Sequence, residues 1–223
     1  MIYFAHRGAS SKAPANSVAA FKLARQQGAT HYELDVHATQ DGHLVVQHDY
    51  TVGRGPHRVS EFTYGQLQSF CAKNGLACPA LLEEILPIVR PEIKLLNIEI
   101  KNDDNVYSGI EEILLRHLQQ HAAQWMDNIL ISSFDFPTLR RLRALDPDIK
   151  IGLLTRAFDP QFPCELHAYS VHINHTRLTA PIVQACHAEN QKVFVYTVND
   201  PALAQQLANL GVDGIFTDDI TIF

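Results

Sequence analysis

The sequence predicts an α/β fold: a TIM (β/α)8 barrel, with residues 1–223 forming one domain. Three observations carry that expectation. Short β-rich apolar runs recur eight times, at IYFAHRG, HYELDVHA, LLNIEIK, NILISSF, KIGLLT, SVHINHT, KVFVYTV and GIFTDD. Helical patterns follow the runs, the signature of repeated βα units on a parallel sheet. The 223 residues contain no Ser/Gly linker or low-complexity tract, and that length lies near the lower end for this barrel.

Taken in order, the first helix is expected to open at Asn16 as N-cap and to close at Gly28, where a left-handed residue ends a helix cheaply. After the Asp41-Gly42 turn, GHLVVQHD reads as an extra strand that makes a hairpin with the second one. Further helices are expected at LEEILPIVR, with Pro87 inside it, around 109–124, and at PTLRRLRAL, APIVQACHAEN and PALAQQLANLG. The chain stops almost at once after the eighth strand, so a final helix is truncated or absent.

Composition narrows the function. A net charge of -6 argues against nucleic acid, which calls for a basic face. No window approaches the roughly 18 apolar residues of a spanning helix, so no stable membrane insertion is expected. MIYFAHRGAS lacks a basic, then apolar, leader pattern. Cys71, Cys78, Cys164 and Cys186 have no metal or redox spacing, so they read as free thiols in a reducing cytoplasm. No feature of the pattern bears on oligomeric state.

Chemistry gathers at the carboxyl ends of two strands. In HYELDVHA, alternation turns Tyr32, Leu34 and Val36 towards helices and Glu33, Asp35 and His37 towards the barrel mouth. In NIEIK the same phase turns Ile98 and Ile100 outward and Glu99 and Lys101 to the mouth. Three acids held together in a low dielectric need raised pKa values or a cation. Hard oxygen donors suit one divalent cation, Mg²⁺ or Ca²⁺, rather than zinc. A salt-bridge network with Lys101 and nearby arginines is the competing explanation. His6, at the end of the first strand, and His48, at the end of the hairpin, are placed to serve as an acid-base pair. His37 receives no role and is expected at a loop edge.

HRGAS, ELDVHATQDGHLVVQHD and NIEIK, followed by SSFDFPTLRRLRALDP, VFVYTVND and GVDGIFTD, resemble in order and spacing the glycerophosphodiester phosphodiesterase family, over nearly the whole chain. The resemblance implies a TIM barrel that hydrolyses glycerophosphodiesters to glycerol 3-phosphate and an alcohol with a bound divalent cation. It implies Glu33, Asp35 and Glu99 as metal ligands, His6 and His48 as catalytic residues, and Arg7 and Lys101 on the phosphate. For Arg7 to share the face of His6 the strand must end there, as Gly8 permits.

Two positions depart from the family pattern. Ala15 stands in PANS where the family usually reads PENT, which removes a mouth carboxylate. Asn16 is still expected to cap the helix. Tyr196 stands where the penultimate strand usually carries Trp, and it keeps an aromatic wall against the substrate. The loop YTVGRGPH after His48 looks short, which would open the leaving-group side. Alternative readings are a lysophospholipase D on a related lipid, a non-catalytic phosphodiester-binding barrel, and a sugar-phosphate isomerase. The last would not need three clustered acids beside two histidines.

Overall fold

The computed structural model describes residues 1–103 and 105–223. Eight parallel strands close into a barrel: β1 (Ile2–His6), β2 (His31–Ala38), β5 (Leu95–Ile100), β6 (Ile129–Ser133), β7 (Lys150–Thr155), β8 (Ser170–Asn174), β9 (Lys192–Tyr196) and β10 (Gly214–Thr217). They pair in sequence order, and β1 closes the ring by pairing with both β10 and β2. The two remaining strands, β3 (Leu44–Val46) and β4 (Ala80–Leu81), extend β2 outward as an antiparallel ribbon. The hairpin expected after Asp41-Gly42 is therefore present, and β4 adds a third strand that the sequence pattern did not announce.

The helices are α1 (Val18–Gln26), α2 (Tyr64–Lys73), α3 (Leu82–Val89), α4 (Ile110–His121), α5 (Phe136–Leu145), α6 (Gln161–Glu165), α7 (Ala180–Ala188) and α8 (Pro201–Asn209). After β10 the described residues form a 3-10 turn, Ile220–Ile222. Helix α2 lay outside the sequence expectation. A full capping box starts it: Thr63 accepts from the backbone of Gln66, and the Gln66 side chain accepts from the backbone of Thr63.

The first helix begins one residue later than expected. Ser17 is its N-cap, accepting from the Ala20 amide at 3.1 Å. Asn16 has φ 60, a left-handed conformation that no N-cap uses, and its side chain turns into the barrel instead. At the other end Gly28 has φ 86, as a residue just past a helix needs.

Alternation decides what each strand buries. Tyr32, Leu34, Val36, Ile98 and Ile100 are fully buried and pack with Phe21, Ile85, Leu114 and Leu139 of the surrounding helices. The inside of the barrel is plugged by Phe4, Leu95, Leu130, Phe194 and Phe216. Above that apolar plug, the carboxyl ends of the strands gather the charged inward residues, where a barrel of this kind carries its site.

Candidate active site

The end of β1 sets the first two groups. His6 is the last residue of the strand, and the chain then breaks from extended geometry with Arg7 at φ 59 and Gly8 at φ 81. A side chain at position 8 would put its Cβ 2.7 Å from the Ala20 backbone, so only glycine fits against α1. The break brings Arg7 round to the face of His6. Its amide donates to Glu33 Oε2 at 2.9 Å, and its Nε lies 3.2 Å from Asp35 Oδ2.

Strands β2 and β5 run in register, with Asp35 opposite Glu99. Glu33, Asp35 and Glu99, all buried, therefore bring one carboxylate oxygen each within 4.8 Å of one another. Lys101 joins them, 3.0 Å from Asp35 Oδ1 and hydrogen-bonded to Glu99. The cation and salt-bridge readings left open by the sequence thus coexist in one cluster of three acids and two bases.

Burial, and then the Asp35 charge, push Glu33 well above the usual carboxylate range. Burial likewise pushes Glu99 up to about 7, against the pull of Lys101. For Asp35 burial acts in the same direction but loses to Lys101 and then Arg7, which hold it below its ordinary value. The cluster fits a hard cation: each of the three buried carboxylates offers an oxygen within 4.8 Å of the others, and the donor set is all oxygen. Such a set suits Mg²⁺ or Ca²⁺.

The two histidines reach the pocket from different segments, His6 from the end of β1 and His48 from beyond β3. His6 Nδ1 lies 2.7 Å from Asp218 Oδ1, and its Nε2 is 3.9 Å from Glu33 Oε2. His48 sits past the end of β3 with its Nδ1 2.8 Å from Asp49 Oδ1, and burial followed by the Lys101 charge lowers its pKa. One pocket of about 210 Å³ is lined by His6, Arg7, Glu33, His48, Glu99, Lys101 and Tyr196, with Asp35 in ionic contact with Arg7 and Lys101. All eight residues singled out in the sequence are therefore brought together.

Three supporting roles escaped the sequence reading, those of Asp218, Asn16 and His37. Asp218 holds His6 and is held in turn by Asn199 at 2.6 Å and Ser10 at 2.9 Å. The inward phase of Gly214 and Phe216 would have pointed to it. Asn16 donates to Asp35 Oδ2 at 2.8 Å, a placement no local pattern announces. His37 is not a loop-edge residue. It is fully buried, with Nδ1 2.8 Å from the Tyr107 hydroxyl and Nε2 3.2 Å from the His48 carbonyl, so it anchors the backbone that presents His48. Burial pushes its pKa down to about 4.

A second, larger groove of about 640 Å³ shares Arg7 and His48 with the pocket and runs past Ala15, Val18, Val46, Cys78 and Pro79. Ala15 lies in this groove, where a longer acidic side chain would narrow it.

The profile of the glycerophosphoryl diester phosphodiesterase family matches residues 6–222. The chain belongs to that family. It is 36% identical to a glycerophosphodiester phosphodiesterase of Caldanaerobacter subterraneus subsp. tengcongensis, over 98% of this chain and 94% of the relative. A glycerophosphodiester phosphodiesterase of Bacillus altitudinis is 35% identical over 96% of this chain and 93% of its own. Among solved structures, a phosphodiesterase of Oleispira antarctica in complex with the product sn-glycerol-3-phosphate superposes with a TM-score of 0.84 at 27% identity, covering 98% of this chain and 93% of that one. Membership makes this barrel an enzyme of the phosphodiesterase class. No helix among the described residues is long and apolar enough to cross a membrane.

Proposed function

We propose that the chain hydrolyses glycerophosphodiesters to glycerol 3-phosphate and an alcohol, by acid-base catalysis from His6 and His48 beside a divalent cation held by Glu33, Asp35 and Glu99. The observation that carries this is the convergence of two imidazoles, three carboxylates, Arg7 and Lys101 on one small pocket. A phosphodiester repels nucleophiles by its own negative charge. Arg7 and Lys101 are the cationic groups at the pocket, and they would neutralise the non-bridging oxygens as charge grows in the transition state.

When bound, the cation supplies further charge neutralisation and acidifies a hydroxyl on the substrate. The two imidazoles divide the proton work, one accepting from the attacking substrate hydroxyl and the other donating to the departing alcohol; water then opens the cyclic phosphate so formed, one imidazole taking its proton and the other protonating the freed ring oxygen, which leaves glycerol 3-phosphate. Asp218 fixes the His6 ring through Nδ1 and leaves Nε2 facing Glu33 and the pocket. Asp49 fixes His48 in the same way. Tyr196 forms an aromatic side of the pocket, its ring edge-on to Phe134.

The leaving alcohol would occupy the groove past Ala15. Its apolar lining favours, as a second reading, a lysophospholipid substrate for the same chemistry. The four unpaired cysteines suit a reducing cytoplasm. Release of glycerol 3-phosphate from glycerophosphocholine, with and without EDTA, tests the function. Turnover is expected only with Mg²⁺ or Ca²⁺ restored, and turnover that survives chelation overturns the role given to the carboxylates.

A further inference from the structure

The proton chemistry leaves the pocket floor unused, and that floor is polar. Asn97 lies on β5 one inward step before Glu99, and His172 lies on β8; they are 1% and 0% exposed, and both line the pocket of about 210 Å³ with the reactive groups. Asn97 Oδ1 and His172 Nδ1 have no hydrogen-bond partner. Leaving such atoms unpaired carries the full cost of their desolvation, so a pocket lined by two of them is built for something that pairs with them.

The His172 ring cannot turn away. A Cβ at Gly152 would stand 2.7 Å from its Cε1 and Nε2, so the ring rests against a glycine on the neighbouring strand. Phe194 and Phe216 flank it with centroids at 5.4 and 5.1 Å. Its Nε2 is 2.8 Å from Ser170 Oγ. Burial pushes the pKa down to about 3, which keeps the ring neutral. With the Ser170 hydroxyl donating to Nε2, Nδ1 carries the ring proton. At these two unpaired atoms the floor then offers one donor, the His172 Nδ1–H, and one acceptor, Asn97 Oδ1, and no charge. A phosphate belongs with Arg7 and Lys101, whereas one neutral hydroxyl, which both accepts and donates, satisfies the floor. Phe134, Leu154 and Phe216 supply apolar wall for a short carbon chain.

We propose that Asn97 and His172 form the subsite for the terminal hydroxymethyl of the glycerol unit, and that they select glycerol diesters over diesters of shorter diols. The inference rests on the hydrolytic reading and deepens it. The atom read is the hydroxyl farthest from phosphorus, so the subsite acts on recognition and leaves the attacking hydroxyl to the histidines.

Kinetics on two substrates test it: glycerophosphocholine, and 2-hydroxyethyl phosphocholine, which keeps the hydroxyl next to the ester but lacks the hydroxymethyl. Wild-type kcat/KM is expected to favour the glycerol diester by about 100-fold, because the shorter substrate leaves two buried polar atoms unpaired. In His172→Phe, and separately in Asn97→Leu, that ratio is expected to fall below about 10, with the loss appearing mainly in KM for the glycerol diester. The ratio is internal to each protein, so partial unfolding does not imitate the result. A wild-type ratio near one overturns the subsite, and so does an unchanged ratio in both variants. Failure of the wild type to turn over either diester overturns the hydrolytic reading itself, and this inference with it.

Discussion

The two halves of the barrel interior bury polar groups in opposite ways. The half formed by β1, β2 and β5 buries ionisable groups, Glu33, Asp35, Glu99 and Lys101, and sets acid against base within a few ångströms. The half formed by β6, β7 and β8 buries neutral groups, Ser132, Ser170 and His172, around Gly152. Charge is tolerated in the dry interior only where an opposite charge arrives from a neighbouring strand. Where no carboxylate faces the histidine, as at His172, desolvation keeps the ring neutral. One half can therefore organise a phosphate and a cation, and the other can organise only an uncharged group.

The strongest test removes one of the two proposed proton-handling groups from the charged half. His6→Ala is expected to lower turnover of glycerophosphocholine by about 10²–10⁴-fold, the usual worth of general acid-base catalysis, with little change in urea stability. A drop under about tenfold would place the proton work elsewhere. Next, Asp35→Ala removes the one carboxylate that faces both Lys101 and Arg7, leaving Lys101 with Glu99 alone, and urea denaturation should show a loss of about 3–5 kcal/mol. If the loss is under about 1 kcal/mol, the balance of charges described for this half is wrong.

The neutral half responds to acid instead. His172 has a folded pKa near 3 against an ordinary 6.5, so its contribution to stability is fully present above pH 6.5. Below that the unfolded chain takes up the proton first, and stability falls until the pH reaches about 3, at about 1.4 kcal/mol per pH unit. His172→Phe should therefore flatten the stability profile between pH 6.5 and 4. A profile as steep as the wild type would show that this histidine does not govern the acid response. The smallest effect lies outside both halves: Ser17→Ala removes the cap of α1 and should cost about 1 kcal/mol, read as a shift in urea midpoint. An equal loss from Asn16→Ala with no change in hydrolysis would contradict the separation of cap from site.

Much of the charged half is legible along the chain. Alternation in HYELDVHA and NIEIK sorts wall from mouth residue by residue, and the register of β2 with β5 keeps the three acids level. The chain break after His6 is also legible, because Gly8 permits it. Helix α2 is less so, since its capping box sits behind a loop rich in Gly and Pro that masks the periodicity. Asn16 was misjudged for a local reason: Asn suits an N-cap as well as Ser does, and nothing in PANS says which residue turns inward.

The sequence by itself determines the barrel, the facing of its strands and the identity of the groups at the mouth, because side-chain alternation and helix periodicity are properties of short segments. Tertiary structure alone decides which atoms those groups meet. His6 meets Asp218 across 212 residues only because β1 closes the ring against β10, and His37 carries the His48 backbone only because β2 bends into the β3 hairpin. Hydrogen bonds are short-range and directional, so their partners are fixed by closure of the barrel and not by spacing along the chain.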